Sequence, residues 1–267
     1  MIQTYLDTAV EAAREAGQIL VAEYSRPVSI SYKGEVDLVT QADKRSEESI
    51  VTRLHSRFPK HAIIAEEGGG ADTDSRWRWY VDPLDGTTNF AHGYPCFAVS
   101  IGLEEEGELI VGVIYQPISG ELFTAAKGRG GYLNNKRIEV SRVPRLGTGL
   151  LATGFPSKKR AAHSQNINFY WEYTLRSHGV RRDGSAALDL AAVACGRFDG
   201  FWEFGLNSWD TAAGVLLVRE AGGMVTTWSG EPYRVDHRET VASNSLIHDE
   251  MLQVATQVPE RISSGSQ

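Results

Sequence analysis

Along the first two dozen residues the apolar positions Ile2, Leu6, Ala9, Val10, Ala13, Ala16, Ile19 and Leu20 recur at helical spacing, and Pro27 closes the run. This predicts an amphipathic helix over residues 2–24. A second helical stretch, 41–58, stops at Pro59, and the apolar run Ala62-Ile63-Ile64-Ala65 after it has strand character. Residues 77–81 read as another strand, and alternating segments at 97–104 and 109–116 flank the polar turn Glu105-Glu106-Gly107, predicting an antiparallel meander. Beyond it come a strand at 149–153, helices at 163–178 and 184–195, a strand at 198–203 and a helix at 208–221 that ends on Gly222-Gly223. Strands at 224–228 and 240–243 and a last helix at 246–257 complete the pattern. Strands and helices mix without regular βαβ alternation. That favours an α+β or α/β layered fold, with mixed sheets between layers of helices, over a doubly wound sheet. A boundary near residue 146 separates an expected N-terminal α+β half, 1–145, from an expected C-terminal α/β half, 146–267.

Composition narrows the class. Of 267 residues, 42% are hydrophobic and 23% charged, the balance of a soluble globular protein. Asp7, Glu11, Arg14 and Glu15 interrupt any signal-peptide core or spanning helix near the start, so a cytoplasmic location and no membrane partner are expected. Cys96 and Cys195 lie far apart without metal-ligand spacing and are expected as reduced thiols. A formal net charge of −7 argues against general affinity for nucleic acid. It also means that an anionic substrate approaching acidic side chains needs a cation between them.

The chemistry concentrates where Trp79-Tyr80-Val81 runs into Asp82-Pro83-Leu84-Asp85-Gly86-Thr87-Thr88-Asn89-Phe90. Pro83 fixes one backbone dihedral, so that both aspartates can turn to one side and the Leu84 carbonyl stays available as an oxygen ligand for a hard cation. Gly86-Thr87-Thr88 reads as a helix start whose N–H groups would face an anion. Taken alone, such a motif is also an Asp/Gly-rich turn with Asp85 as a helix cap. Glu66 and Glu67 follow the 62–65 strand and could be solvated loop. In Asn207-Ser208-Trp209-Asp210, Ser208 reads as a helix cap and Asp210 as a first-turn acid suited to the helix dipole. The seven histidines have no zinc-site spacing, Ser185 lacks a nucleophile elbow, and Lys127-Gly128-Arg129-Gly130-Gly131 lacks the ending of a phosphate-binding loop and reads as a turn between strands.

Together, 82–90, the later Trp209-Asp210-Thr211-Ala212-Ala213-Gly214, the Glu66-Glu67 pair, the 36–43 segment and Glu220-Ala221-Gly222-Gly223 resemble the inositol monophosphatase family, over about residues 4–257. The resemblance implies an αβαβα sandwich of the sugar phosphatase type and a magnesium-dependent, lithium-sensitive phosphomonoesterase using two to three Mg²⁺ ions. By position, Glu66, Asp82 and the Leu84 carbonyl would hold one ion, and Asp82, Asp85 and Asp210 a second. A third would rest on Glu66 through waters. Asp43 and Thr87 would orient the attacking water, and the N–H groups of Gly86 and Thr87 would hold phosphate. Ser185, Ala186 and Glu203 fall in the alcohol-recognition region. The implied substrate is an inositol monophosphate, with fructose 1,6-bisphosphate or dual sugar-phosphate specificity as the alternative and a non-catalytic binding role as a third reading. A homodimer is also implied. The loop at 33–37 reads as shortened against animal-type members, and Gly68-Gly69-Gly70 as a mobile run.

Overall fold

The computed structural model describes residues 1–24, 30–32, 38–68, 75–155 and 160–258; the 33–37 loop and most of the 68–70 glycine run lie outside them. The chain opens with α1 (Ile2–Tyr24), a two-stranded antiparallel hairpin of β1 (Ile30–Tyr32) and β2 (Leu38–Thr40), and α2 (Gln41–Arg57). A seven-stranded sheet follows in sequential order: β3 (Ala62–Ala65), β4 (Trp77–Asp85), β5 (Ala98–Glu105), β6 (Glu108–Gln116), β7 (Glu121–Ala126), β8 (Gly130–Leu133) and β9 (Lys136–Ile138). Short α3 (Thr87–Ala91) sits between β4 and β5. The remaining elements are β10 (Leu150–Thr153), α4 (Arg160–Arg176), β11 (Gly179–Arg181), α5 (Ala186–Ala194), β12 (Gly200–Phe204), α6 (Ser208–Glu220), β13 (Met224–Thr226), β14 (Glu239–Ser243) and α7 (His248–Gln257). Their strands form a second, five-stranded mixed sheet in the order β11-β10-β12-β14-β13.

Three apolar layers bind these parts. On one face of the large sheet, α1 and α2 bury Ala9, Ala12, Ala13, Ala16, Leu20, Ile50 and Leu54 against Trp79, Val81, Ile101 and Val113. Between the sheets lie α5 and α6, with Leu190, Val193, Val215 and Leu217 buried among Ile114, Phe123, Phe201 and Ala242. On the outer face of the small sheet, Phe169 and Tyr173 of α4 and Met251 and Val254 of α7 cover Leu151, Trp202 and Val241. Helix, sheet, helix, sheet, helix is thus the expected αβαβα layering. The middle layer also joins the two parts of the chain, because α6 packs directly on β4 through β8. Its approach depends on the cross-strand pair Gly102 and Gly112. A methyl group at Gly102 would lie 2.6 Å from the Ala212 β-carbon, and one at Gly112 would lie 2.7 Å from the Ala213 carbonyl oxygen. The bare pair therefore lets the backbone of α6 rest on the sheet, with Asp210 one turn away.

Sequence and structure differ where local signals compete with pairing. The strand expected at 77–81 continues to Asp85 because β5 keeps pairing with it, Asp82 to Ser100 and Asp85 to Ala98, across an irregularity between them. Pro83 occupies that irregularity, beyond the last β3 partner at Val81, where its missing N–H breaks no ladder bond. β7, β8, β9 and β11 carry too little alternation to stand out individually. The cap of α6 is Asn207, one residue before the expected Ser208. In α1, Tyr5, Ala12 and Gly17 join the buried face while Leu6, Val10 and Ile19 are only half-buried. Small side chains bring the helix close to the sheet, so the face rotates toward them.

Candidate active site

The end of β4 is built to present carboxylates. Asp82 is buried, and its Oδ1 accepts from the Leu84 N–H at 3.0 Å, a local turn closed across Pro83. The Pro83 carbonyl accepts from Ser46 Oγ of α2 at 2.7 Å, which anchors the turn from behind. Gly86 then takes φ 95°, a left-handed conformation that starts α3, and a methyl group there would lie 2.8 Å from the Cys96 carbonyl. Three residues on, the Asn89 side chain donates to the Cys96 carbonyl at 2.7 Å and to the Asp183 carbonyl at 2.8 Å. Asn89 thereby ties this loop to the segment leading into α5. In the sequence alone, only its place inside the motif signals a task for Asn89.

Other elements bring further acids to the same place. Asp85 Oδ2 accepts from Ser185 Oγ at 2.5 Å and from the Ala187 N–H at 2.8 Å, so the carboxylate rests on the N-terminus of α5, where helix N–H groups favour negative charge. The Asp210 Oδ2 accepts from the Asn207 N–H at 2.6 Å as the third residue of α6. Arg238 Nη1 holds that cap by donating to the Leu206 carbonyl at 2.9 Å and to Asn207 Oδ1 at 2.5 Å. Glu66 follows β3, its N–H donating to the Val81 carbonyl at 3.2 Å, which sets it beside Asp82 across the parallel pair.

The electrostatics record this convergence. Burial first, and then the charges of Glu66, Asp85 and Asp210, push the Asp82 carboxyl well above the usual carboxylate range. Burial raises Asp85 to about 6 against the opposing hydrogen bonds from Ser185 and the α5 backbone. Burial likewise raises Asp210 to about 7. Among the described residues, no three Asp, Glu, His or Cys side chains form a ready-made metal-ligand set; the four carboxylates share a field rather than a common point. The donor chemistry nonetheless suits a hard divalent cation, because it is oxygen throughout and the mutual repulsion is what a cation would relieve.

Two further groupings lie around this cluster. Thr87 Oγ1 is 3.2 Å from Asp43 Oδ1 and 3.0 Å from the Leu84 carbonyl, with Asp43 buried in α2, so the expected Asp43–Thr87 pair is in hydrogen-bond contact. Glu203 of β12 is also buried, and desolvation, then Asp210 and Asp85, push its carboxyl well above its ordinary range. Its carboxylate lies against the α-carbon of Gly154 at the end of β10. Ser185 is 1% exposed, and its hydroxyl is committed to Asp85 while accepting from the Leu188 N–H at 3.3 Å. Ala186 follows it in the first turn of α5, where its N–H also favours the ionised Asp85. Cys96 stands nearby, but burial, then Asp189, Asp183 and Asp85, push its thiol up to about 12, too high for a thiolate nucleophile.

Comparisons with known proteins match the chain over nearly its full length. The model of the inositol monophosphatase family matches residues 1–260. The chain is 43% identical over 261 residues to a Synechocystis inositol-1-monophosphatase, covering 97% of this chain and 91% of that protein. It is 45% identical over 250 residues to Nus factor SuhB of Escherichia coli, covering 92% and 94% respectively. The solved inositol monophosphatase of Anabaena superposes with a TM-score of 0.89 at 44% identity, covering 97% of this chain and 98% of that one. Shared layering, an acidic cluster at the end of β4 and full-length similarity place the chain in the inositol monophosphatase family.

Proposed function

We propose that the protein is a magnesium-dependent phosphomonoesterase that hydrolyses an inositol monophosphate to inositol and inorganic phosphate. The observation that carries this reading is the burial of Asp82 beside Glu66, Asp85 and Asp210, an acidic cluster whose charges push up the Asp82 carboxyl. Glu66, Asp82 and the Leu84 carbonyl would hold one ion and Asp82, Asp85 and Asp210 a second, with Glu66 supporting a third. Bound there, the metal ions would supply the positive charge that draws in the phosphate and lowers the cost of ionising the attacking water. Thr87 has one hydroxyl hydrogen and two acceptors in reach, Asp43 Oδ1 and the Leu84 carbonyl; with the hydrogen bond directed to Asp43, a lone pair of Thr87 faces the incoming water and orients it. The N–H groups of Gly86 and Thr87 at the start of α3 bind the phosphoryl oxygens. Ser185 and the α5 backbone keep Asp85 ionised and aimed. Glu203 accepts hydrogen bonds from hydroxyls of the leaving alcohol, a preference for a polyol because an unpaired buried acceptor is penalised.

Phosphate release from inositol 1-phosphate, fructose 1,6-bisphosphate, adenosine 3′,5′-bisphosphate and histidinol phosphate, with and without Mg²⁺, tests this reading. Magnesium-dependent release with inositol 1-phosphate foremost supports it. Preference for fructose 1,6-bisphosphate would move the assignment to a sugar bisphosphatase, and no release from any substrate would move it to a binding protein. The last alternative is motivated by the Escherichia coli relative named a Nus factor. Family membership also supports inhibition by lithium, a homodimer and a cytoplasmic location. Among the described residues, no helix is long and apolar enough to cross a membrane.

A further inference from the structure

We infer that Asn166 of α4 is a positioning residue for the Glu203 carboxylate, acting through a polar clamp across the ends of β10 and β12. The inference rests on the reading of Glu203 as the acceptor for substrate hydroxyls.

Asn166 is fully buried on α4, whose other buried side chains among the described residues are the aromatic Phe169 and Tyr173. Its Oδ1 accepts from the Trp202 indole Nε1 at 2.6 Å, and its Nδ2 donates to the Gly154 carbonyl at 2.5 Å and to Thr153 Oγ1 at 3.2 Å. Thr153 Oγ1 in turn donates to the Trp202 carbonyl at 2.7 Å. These partners fix the amide orientation, because an indole only donates and a carbonyl only accepts. Thr153 and Trp202 are register partners in the parallel β10–β12 pair, so one amide grips both strands at the same level.

Just beyond this pair the two segments bring Gly154 and Glu203 together. After Thr153 comes Gly154, and after Trp202 comes Glu203. A methyl group at Gly154 would lie 2.1 Å from Glu203 Oε2 and 2.4 Å from both its Cδ and its Oε1. The carboxylate therefore lies on a surface formed by the backbone of Gly154, and that backbone is held by Asn166. The clamp's hydrogen bonds all precede the carboxylate and none touches it, so it sets where the oxygens sit without entering the chemistry. A small slip of β10 against β12 would move the shelf under Glu203 and leave Asp82, Asp85 and Thr87 in place.

The test compares inositol 1-phosphate with p-nitrophenyl phosphate, whose leaving alcohol carries no further hydroxyls, in N166D, T153V, G154A and E203Q. N166D keeps the shape of the amide and removes both donors. T153V removes two links, the one from Asn166 and the one to the Trp202 carbonyl, with little change of volume, and serves if N166D folds poorly. G154A displaces the carboxylate directly without touching the clamp. Losing one hydrogen bond to a charged acceptor corresponds to about tenfold in binding. We therefore expect N166D and G154A to raise KM for inositol 1-phosphate about tenfold, T153V to raise it several-fold, and all three to leave kcat and the p-nitrophenyl phosphate parameters within about twofold. Equal losses on both substrates, or unchanged KM for inositol 1-phosphate in N166D and T153V, would overturn the clamp. If E203Q itself leaves the ratio of the two substrates unchanged, the hydroxyl-acceptor reading of Glu203 fails, and the inference fails with it for that separate reason.

Discussion

Replacing Ser185 with alanine removes a single hydroxyl that has two duties. It donates to Asp85 Oδ2 at 2.5 Å and accepts from the Leu188 N–H at 3.3 Å as the cap of α5. A hydrogen bond to a charged group is worth about 1.5–3 kcal/mol. Its loss leaves the Asp85 carboxyl higher still, because the ionised form loses a donor. Removing a hydrogen-bonded partner of a metal-binding carboxylate typically weakens metal affinity by about 10–100-fold. The half-saturating magnesium concentration for phosphate release should rise by that factor in Ser185→Ala, while kcat at saturating magnesium recovers most of the wild-type value. The lost cap should separately cost about 1 kcal/mol of stability, visible as a lower Tm. The reasoning is refuted if the Tm falls as a cap requires while the half-saturating magnesium concentration stays put, since Ser185 would then serve the helix alone.

Other expectations follow from the same geometry. Thr87→Val keeps the shape beside Asp43 and deletes the hydroxyl, so kcat should fall by about 10²–10⁴ with little change in magnesium requirement; a loss of less than about tenfold would remove Thr87 from water orientation. Because Asp85 lies at about 6 and Asp210 at about 7, protons and the metal compete for them near neutrality. The half-saturating magnesium concentration should therefore rise as pH falls from about 8 to 6, and a flat profile would contradict their role as ligands. His248 is buried between Thr226 Oγ1 and Ser243 Oγ, each at 2.8 Å, and burial lowers its pKa. Its folded-state pKa thus lies below the unfolded value of about 6.5. The unfolded chain takes the proton first, and the His248 contribution to stability is present above that value and shrinks as pH falls toward the folded-state pKa. Tm measured from pH 7.5 to 5 should fall less steeply in His248→Gln than in wild type; identical slopes would count against a neutral buried imidazole.

The part of this candidate site that is legible in the chain is the part whose residues are contiguous. Asp82, Asp85, Gly86 and Thr87 belong to one turn, and their types and order fix what the turn can do. The layered fold was legible for a similar reason, since α1, α2, β5 and β6 carry strong periodic patterns. What stayed hidden depends on pairs distant in sequence. The Gly102–Gly112 pair that seats α6, and so brings Asp210 toward Asp82, is two ordinary glycines until the register of β5 and β6 is known. Asn207 as the cap of α6, Asn89 as a strap to Asp183, and Asn166 under Gly154 are single polar residues whose partners lie on other elements. Ser185 was expected beside the leaving alcohol; its hydroxyl turns to Asp85 because the start of α5 abuts the end of β4. β9 and β11 are three residues each, too short for alternation to register.

If the acids gathered around buried Asp82 at the end of β4 are a divalent-metal seat, phosphomonoester hydrolysis depends on the ion they hold. Phosphate release from inositol 1-phosphate by chelator-stripped protein, titrated with Mg²⁺ in wild type and in Asp82→Asn, tests it most directly. No release is expected from stripped protein, with saturable recovery by Mg²⁺ in the wild type and no recovery at any magnesium concentration in Asp82→Asn. The variant's Tm should match or exceed the stripped wild type's, because one repelling carboxyl is gone. Turnover by the stripped protein, or Asp82→Asn activity within a few-fold of wild type, would contradict it.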